Sequence, residues 1–246
     1  MPYKTSTHRL LASRVLKLAV DLLTTTSATV IAPGSDCRDA FRAAYQNRYT
    51  WDPGFSGYSG RCIWLQGERS VEGTFHVGSD LKARVEGVSD PEVEKAFASQ
   101  LWEVCIHRVR RTFEQTHSEN TFTAGDCTDE GLEIIIGGKG QGDKYRIKDD
   151  VVTMVHRHIH GTVVTIHTKS TTDTGMGYLS HTYTSEYADP STGKSKGGIN
   201  TFEDLFVPLD GNGPWVLASR RVTTASFDGQ DASEQTFLFE DLHALT

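Results

Sequence analysis

Residues 91–117 read PEVEKAFASQLWEVCIHRVRRTFEQTH, and the reading of this stretch decides the fold. Val93, Phe97, Leu101, Cys105, Val109 and Phe113 recur every four residues, with Trp102 and Val104 beside them. That spacing predicts one long helix over 91–117 whose single apolar stripe needs a sheet to lie against. Asp90 marks the start: its carboxylate accepts free first-turn amides, Pro91 has no amide to leave unpaired, and Glu92 and Glu94 suit the positive helix end. The far end is basic, with Arg108, Arg110, Arg111 and His117.

Outward from this helix the chain reads as strand. Ahead of it lie segments 58–66, 70–77 and 81–88, separated by turns at Gly67-Glu68 and Gly78-Ser79-Asp80. Behind it come 121–127, 131–136, 144–148, 151–168, 177–187, 199–209, 215–227 and 233–242. Asp189-Pro190-Ser191-Thr192-Gly193, Asp210-Gly211-Asn212-Gly213 and Asp228-Gly229 are turn sequences. A meander of hairpins without intervening helices excludes a doubly wound parallel fold. A short helix over 36–49 opens the domain, and Trp51, Phe55, Tyr58 and Trp64 crowd the turns that follow, as aromatic groups do where they close one end of a core. The fold class is therefore α+β, an antiparallel sheet with a long helix and a short N-terminal helix packed against it.

Residues 1–34 form an extension ahead of a single domain over 35–246. Lys4, Arg9, Arg14 and Lys17 face only Asp21 there, among many Ser and Thr, which is an organelle-targeting composition. A docking helix or a disordered leader fits the same residues. The expected location is cytoplasmic, or a plastid or other organelle if the leader is a transit peptide. A net charge of -7 opposes nucleic acid, whose phosphates are bound through Lys and Arg. Cys37, Cys62, Cys105 and Cys127 lack the paired spacing of a structural zinc site and read as free thiols. No apolar run approaches the roughly 20 residues of a membrane-spanning helix. No residue pattern names a cofactor or a protein partner.

Polar residues of two segments invite a functional reading. In VVTMVHRHIHGTVVTIHT, residues 151–168, strand alternation puts His156, His158 and His160 on one face with Met154, Thr162 and Val164, and Arg157, Ile159, Val163 and His167 on the other. Two His at i and i+2 can chelate a metal, but i and i+4 lie about 13 Å apart along a strand, so a third ligand must come from elsewhere. The same row serves equally as the polar wall of a cavity or as exposed decoration. On the helix, Glu103, His107, Arg110 and Glu114 form a polar stripe, either a solvated face or a site in which His107, Arg110 or Arg111 meets an anionic head group. The candidate ligand-binding set is thus His107, Arg110, Arg111, Glu114, His156, His158 and His160, with no catalytic residue and no metal assigned. Gly137-Gly138-Lys139-Gly140-Gln141-Gly142 is followed by a strand rather than a helix, so it reads as a hairpin loop and not as a phosphate loop.

AFRAAYQNRYTWDPGFSGYSG, QLWEVCIHRVRRTFEQTH, VTMVHRHIHGTVVTI, GYLSHTY and NTFEDLF together resemble a family of uncharacterised proteins known mostly from cyanobacteria and plastid-bearing organisms, over about residues 36–242. The resemblance implies an oxygenic phototroph and transfers no functional residue. In topology the chain is also similar to lipoprotein carriers, which implies a strongly curved half-barrel sheet with an apolar pocket beneath its helices. The leading expectation is a binding or carrier protein for a small apolar ligand such as a lipid, pigment or acyl chain, held in a hollow under the long helix. The alternatives are an enzyme using His156 or His158 with Glu114, or an assembly factor acting through its surface.

Overall fold

A computed structural model describes residues 37–225 and 232–245; the expected leader and the last residues of the expected 215–227 strand lie outside them. The elements in chain order begin with helix α1 (Cys37–Gln46) and strands β1 (Tyr58–Gln66), β2 (Arg69–Val77) and β3 (Ala83–Glu86). Helices α2 (Pro91–Arg108) and α3 (Phe113–His117) follow. Then come β4 (Asn120–Thr128), β5 (Gly131–Gly138), β6 (Lys144–Lys148), β7 (Val151–Ile159), β8 (Thr162–Asp173), β9 (Tyr178–Ala188), β10 (Ile199–Pro208), β11 (Trp215–Ala225) and β12 (Ala232–Ala244). They form one open, 12-stranded antiparallel sheet in the order β3-β2-β1-β12-β11-β10-β9-β8-β7-β6-β5-β4. The last strand sits beside the first, so the sequence meander closes on itself in the interior of the sheet while β3 and β4 become its edges.

Two expectations are corrected. The helix expected over 91–117 is two helices. Asp90 caps α2 through the amides of Glu92 and Val93, but Val109 is already extended and Thr112 starts α3. Thr112 and Gln115 form a reciprocal capping box, with Gln115 N donating to Thr112 Oγ1 at 3.1 Å and Thr112 N to Gln115 Oε1 at 2.8 Å. The Trp51 amide takes the freed Arg108 carbonyl at 2.8 Å. Residues 151–168 are likewise not one strand but a hairpin, turning at His160 (φ 47) and Gly161 (φ 74), the pair of positive φ values that a two-residue I′ turn demands. His160 therefore leaves the histidine row. A two-residue turn also reverses parity, so His156 and His158 share their face with Val163, Thr165 and His167 rather than with Thr162 and Val164.

Both helical groups pack on the same face of the sheet. Tyr145, Val155, Ile166, Ser185 and Asn200 are successive cross-strand partners from β6 to β10, and directly paired residues point to one side. Tyr145 meets Phe41 of α1 at 4.5 Å between ring centroids, joined by Phe113, His117 and Phe122. Phe202, two residues beyond Asn200, belongs to the core formed with Phe97, Leu101, Val104 and Cys105 of α2 and with Trp64, Phe237 and Phe239. That core fills the space between α2 and the strands beneath it, so the expected hollow under the long helix is occupied by side chains. Trp102 is 55% exposed and Ile106 41% exposed, one turn apart on the outer side of α2 and outside the apolar stripe.

Candidate functional site

The segment that follows α1 organises this face. Tyr49 N donates to Tyr178 O and Tyr178 N to Asn47 O, each at 2.9 Å, which lays residues 47–49 along the start of β9. Gly177 permits the approach: its φ is 124°, and a Cβ there would stand 2.5 Å from Asn47 O. Beyond it Tyr49 Oη accepts from Trp215 N, and Trp51 Nε1 donates to Trp215 O. Two guanidiniums are tethered to this segment. Arg48 Nε donates to Tyr45 O at 3.0 Å and its guanidinium lies 3.9 Å from the Tyr45 ring centroid. Arg108 Nη1 donates to Tyr49 O at 3.0 Å and lies over Phe206, while its Nε is buried and has no acceptor among the described residues. Both side chains belong to half-buried residues, and neither forms an ion pair with a described carboxylate.

The charges are felt nearby. Burial, then Arg48, pushes Arg108 down to about 10. His107 falls to about 4 through the protein mass around it, then through Arg108, Arg48, Arg220 and Arg157. The residue as a whole is exposed, and the four guanidiniums act on it in the same direction as burial. Arg157 and Arg220, on the same face, hold carboxylates: Arg157 Nε meets Asp143 Oδ2 at 2.9 Å, and Arg220 makes a two-point contact with Asp204 at 2.7 and 2.6 Å. Arg220 also binds Tyr183 Oη, Gln100 and Glu103, fastening α2 to β9, β10 and β11. At 2% exposure each, Asp204 and Arg220 are a fully satisfied structural pair.

Between the parts of the sheet covered by α1 and by α2, strands β7, β8 and β9 carry Val155, Ile159, Val164, Ile166 and Tyr187 on the helix-bearing side, with Arg157, the cross-strand partner of Val164, set between Val155 and Ile159 and held by Asp143. Ile159 is 38% and Tyr187 37% exposed, and the other three are half-buried. Ser185, paired with Ile166, is buried, and its Oγ has no hydrogen-bond partner among the described residues. This strip runs toward the β7–β8 turn, and its other end adjoins Tyr178, which residues 47–49 flank and whose Oη accepts from Val152 N at 3.1 Å. A separate shallow depression by Gln66, Gly67 and Glu234 lies at the β1–β2 turn, away from this strip.

The structure divides the sequence candidates. His107 lies among the guanidiniums just described. Arg110 binds Asp52 at 2.7 Å and Thr50, Arg111 is exposed, and Glu114 is held by Arg38 and Arg42 at 3.1 and 2.6 Å, which removes it from proton transfer with the histidines. His156 and His158 project from the opposite face, their rings 5.7 Å apart, with His156 Nδ1 2.9 Å from Thr165 Oγ1. Desolvation, then His158 and Lys144, lowers the His156 pKa. Among the described residues no group of three His, Cys, Asp or Glu is arranged to hold a metal ion. Cys62 and Cys105 are buried free thiols, pushed up to about 11 and about 12 by burial, and Cys127 is an exposed one. Sequence reasoning missed Arg48 and Arg108; the basic run at the end of α2 was visible, but nothing local said which of its members would be left without an acid.

Fold and site together define an open-sheet α+β protein with a basic floor and an apolar strip on its helix-bearing face, and no helix among the described residues is long and apolar enough to cross a membrane. The chain belongs to the family described as "Protein of unknown function (DUF3386)", whose model matches residues 32–245. None of the curated proteins matches it. Among solved structures it is similar to a DUF1329 family protein from Desulfovibrio piger, at 7% identity over 84% of this chain and 91% of that one, with a TM-score of 0.25. It is also similar to a chain of the Pseudomonas aeruginosa MucA/MucB complex, at 11% identity over 84% and 94%, with a TM-score of 0.21. Likenesses at that level carry no argument about function.

Proposed function

We propose that this is a non-enzymatic binding or carrier protein for a small apolar ligand, which lies along the strip of β7, β8 and β9. The observation that carries the reading is the placement of Val155, Ile159, Val164, Ile166 and Tyr187 on the one face that also bears the helices, with Ile159 and Tyr187 more than a third exposed. Apolar side chains set between two covered regions and beside convergent polar groups are what small-molecule sites are made of. The ligand lies beside α2 and not beneath it, because the space beneath is filled.

The reading includes a cupped sheet. The Arg108 side chain at the end of α2 lies over Phe206 of β10, Trp51 joins the Arg108 carbonyl to Trp215 O of β11, and the chain must reach edge strand β4 by Asn120. Six strand spacings separate β10 from β4. Laid flat they span roughly 29 Å, close to the roughly 31 Å that residues 109–120 reach at full stretch around α3. Curvature relieves that crossing and turns the strip into the wall of a trough. The setting in an oxygenic phototroph that the sequence resemblance implies belongs to the same proposal.

Nile red emission tests the reading, with the full chain at neutral pH. A blue-shifted, saturable signal is expected from the wild type, and Val164→Glu should abolish most of it while leaving the melting temperature within a few degrees. Absence of saturable binding by the wild type overturns the proposal.

A further inference from the structure

Among the described residues, Arg48 and Arg108 are half-buried, fixed guanidiniums on this face that form no ion pair with a carboxylate. Each spends one N–H on a carbonyl of the segment after α1, Arg48 on Tyr45 O and Arg108 on Tyr49 O, so the two cations are held by neighbouring stretches of one chain. Among the described residues Arg108 Nε is buried without an acceptor, a cost of the kind that protein interiors rarely tolerate. Arg157 and Arg220 show the ordinary solution on the same surface, a carboxylate within 3 Å of each. Two tethered cations with no ion-pair partner among the described residues, flanking Tyr178 at the end of the strip, have the composition of a seat for one anionic group. A planar guanidinium fork binds carboxylate or phosphate oxygens in pairs.

We propose that Arg48 and Arg108 receive the anionic head, carboxylate or phosphate, of a single-chain amphiphile whose apolar tail lies along Val155, Val164 and Ile166. This deepens the binding reading above and rests on it. His107, next to Arg108 in sequence, is neutral at physiological pH because burial and the surrounding guanidiniums hold its pKa at about 4, so it adds no charge there. Arg110 and Arg111 are outside it, the first occupied by Asp52 and Thr50 and the second pointing to solvent.

The plain alternative is that both arginines only pin the segment after α1 to the sheet. Calorimetric titration of the full chain with laurate, dodecyl phosphate, dodecanol and inorganic phosphate, each below its micelle concentration, separates the possibilities. Laurate or dodecyl phosphate is expected to bind about tenfold or more tightly than dodecanol, the worth of a charge-assisted hydrogen bond. Whichever of the two binds tighter identifies the head. Arg48→Gln should erase that preference and leave dodecanol binding unchanged, and Arg48→Lys should restore part of it. A melting curve checks that both variants fold, and Arg108→Lys supplies a second reading on the buried member. Equal affinity for dodecanol and the anions in the wild type, or an undiminished preference in folded Arg48→Gln, overturns the seat while the strip stands. Binding of inorganic phosphate that Arg48→Gln removes, with no gain from the alkyl chain, upholds the seat and overturns the strip. Failure of all four to bind overturns both.

Discussion

His117 shows what a single residue contributes when the fold closes over it. It is 7% exposed among Phe41, Phe113, Tyr45 and Phe122, with Nδ1 3.0 Å from Asn120 Nδ2. Burial, then Arg48 and Arg157, lowers its pKa from 6.5 to about 4. The unfolded chain therefore binds a proton at His117 before the folded chain does. Stability is complete above the unfolded pKa near 6.5 and is lost as pH falls from there toward 4, by about 2–3 kcal/mol for this group. Urea unfolding followed by Trp fluorescence at pH 7.5 and pH 4.5 measures the loss, and His117→Phe should remove much of it. His117 was read from the sequence only as a basic helix end, and a local reading cannot say that two helices and a strand will bury it. The same holds for Arg220 and Asp204, which lie on strands with ordinary alternation and become a buried pair only when β10 and β11 align beneath Gln100 and Glu103 of α2.

At the scale of elements, the strands were legible and the two exceptions have identifiable causes. Four-residue spacing continues through Val109 to Phe113, so periodicity alone carries a helix across the break between α2 and α3. The contrary signal was present in Thr112-x-x-Gln115, a second helix start. It outweighs the periodicity because Trp51 captures the Arg108 carbonyl, and Arg110 is drawn to Thr50 and Asp52. Thr112→Ala should then cost about 1 kcal/mol, the usual worth of an N-cap, and loosen the packing of Phe113 on Phe41. A shift in urea midpoint with an unchanged denaturant slope would register it; no shift would mean that α3 is held by packing alone. The hairpin at His160-Gly161 was similarly hidden, since His is an uncommon first residue of such a turn and a run of β-branched residues continues on both sides. Misreading that turn placed three imidazoles in line, where the chain has two on one strand and His167 across from Met154 on the next.

For the whole molecule the decisive contact is between the ends of the described chain. β12 pairs with β1 on one side and with β11 on the other, so it is an interior strand supplied last in sequence. Cooperative folding requires it: a chain ending before Ala232 should lose Phe237 and Phe239 from the core around α2 and show no cooperative melting transition by far-UV circular dichroism. A sharp transition in the truncated chain would mean that the sheet divides into independently stable parts. The edges have the opposite character. β3 is four residues long and β4 carries a bulge between Ala124 and Cys127, both devices that discourage edge-to-edge pairing.

Side-chain periodicity and turn chemistry act within a few residues, and they determined the α+β class, the antiparallel meander, the start of α2 at Asp90 and nearly every strand. What the tertiary structure alone decided was which distant segments share a face: β12 beside β1, α1 and α2 on the same side of the sheet, and Arg108 of α2 tethered to Tyr49 O, one residue from Arg48. Partner choice for a charge depends on groups far away in sequence, 59 residues for Arg108 on Tyr49 and 72 for Arg42 on Glu114. No local pattern encodes such neighbours, because they exist only once the hydrophobic faces have been buried against one another.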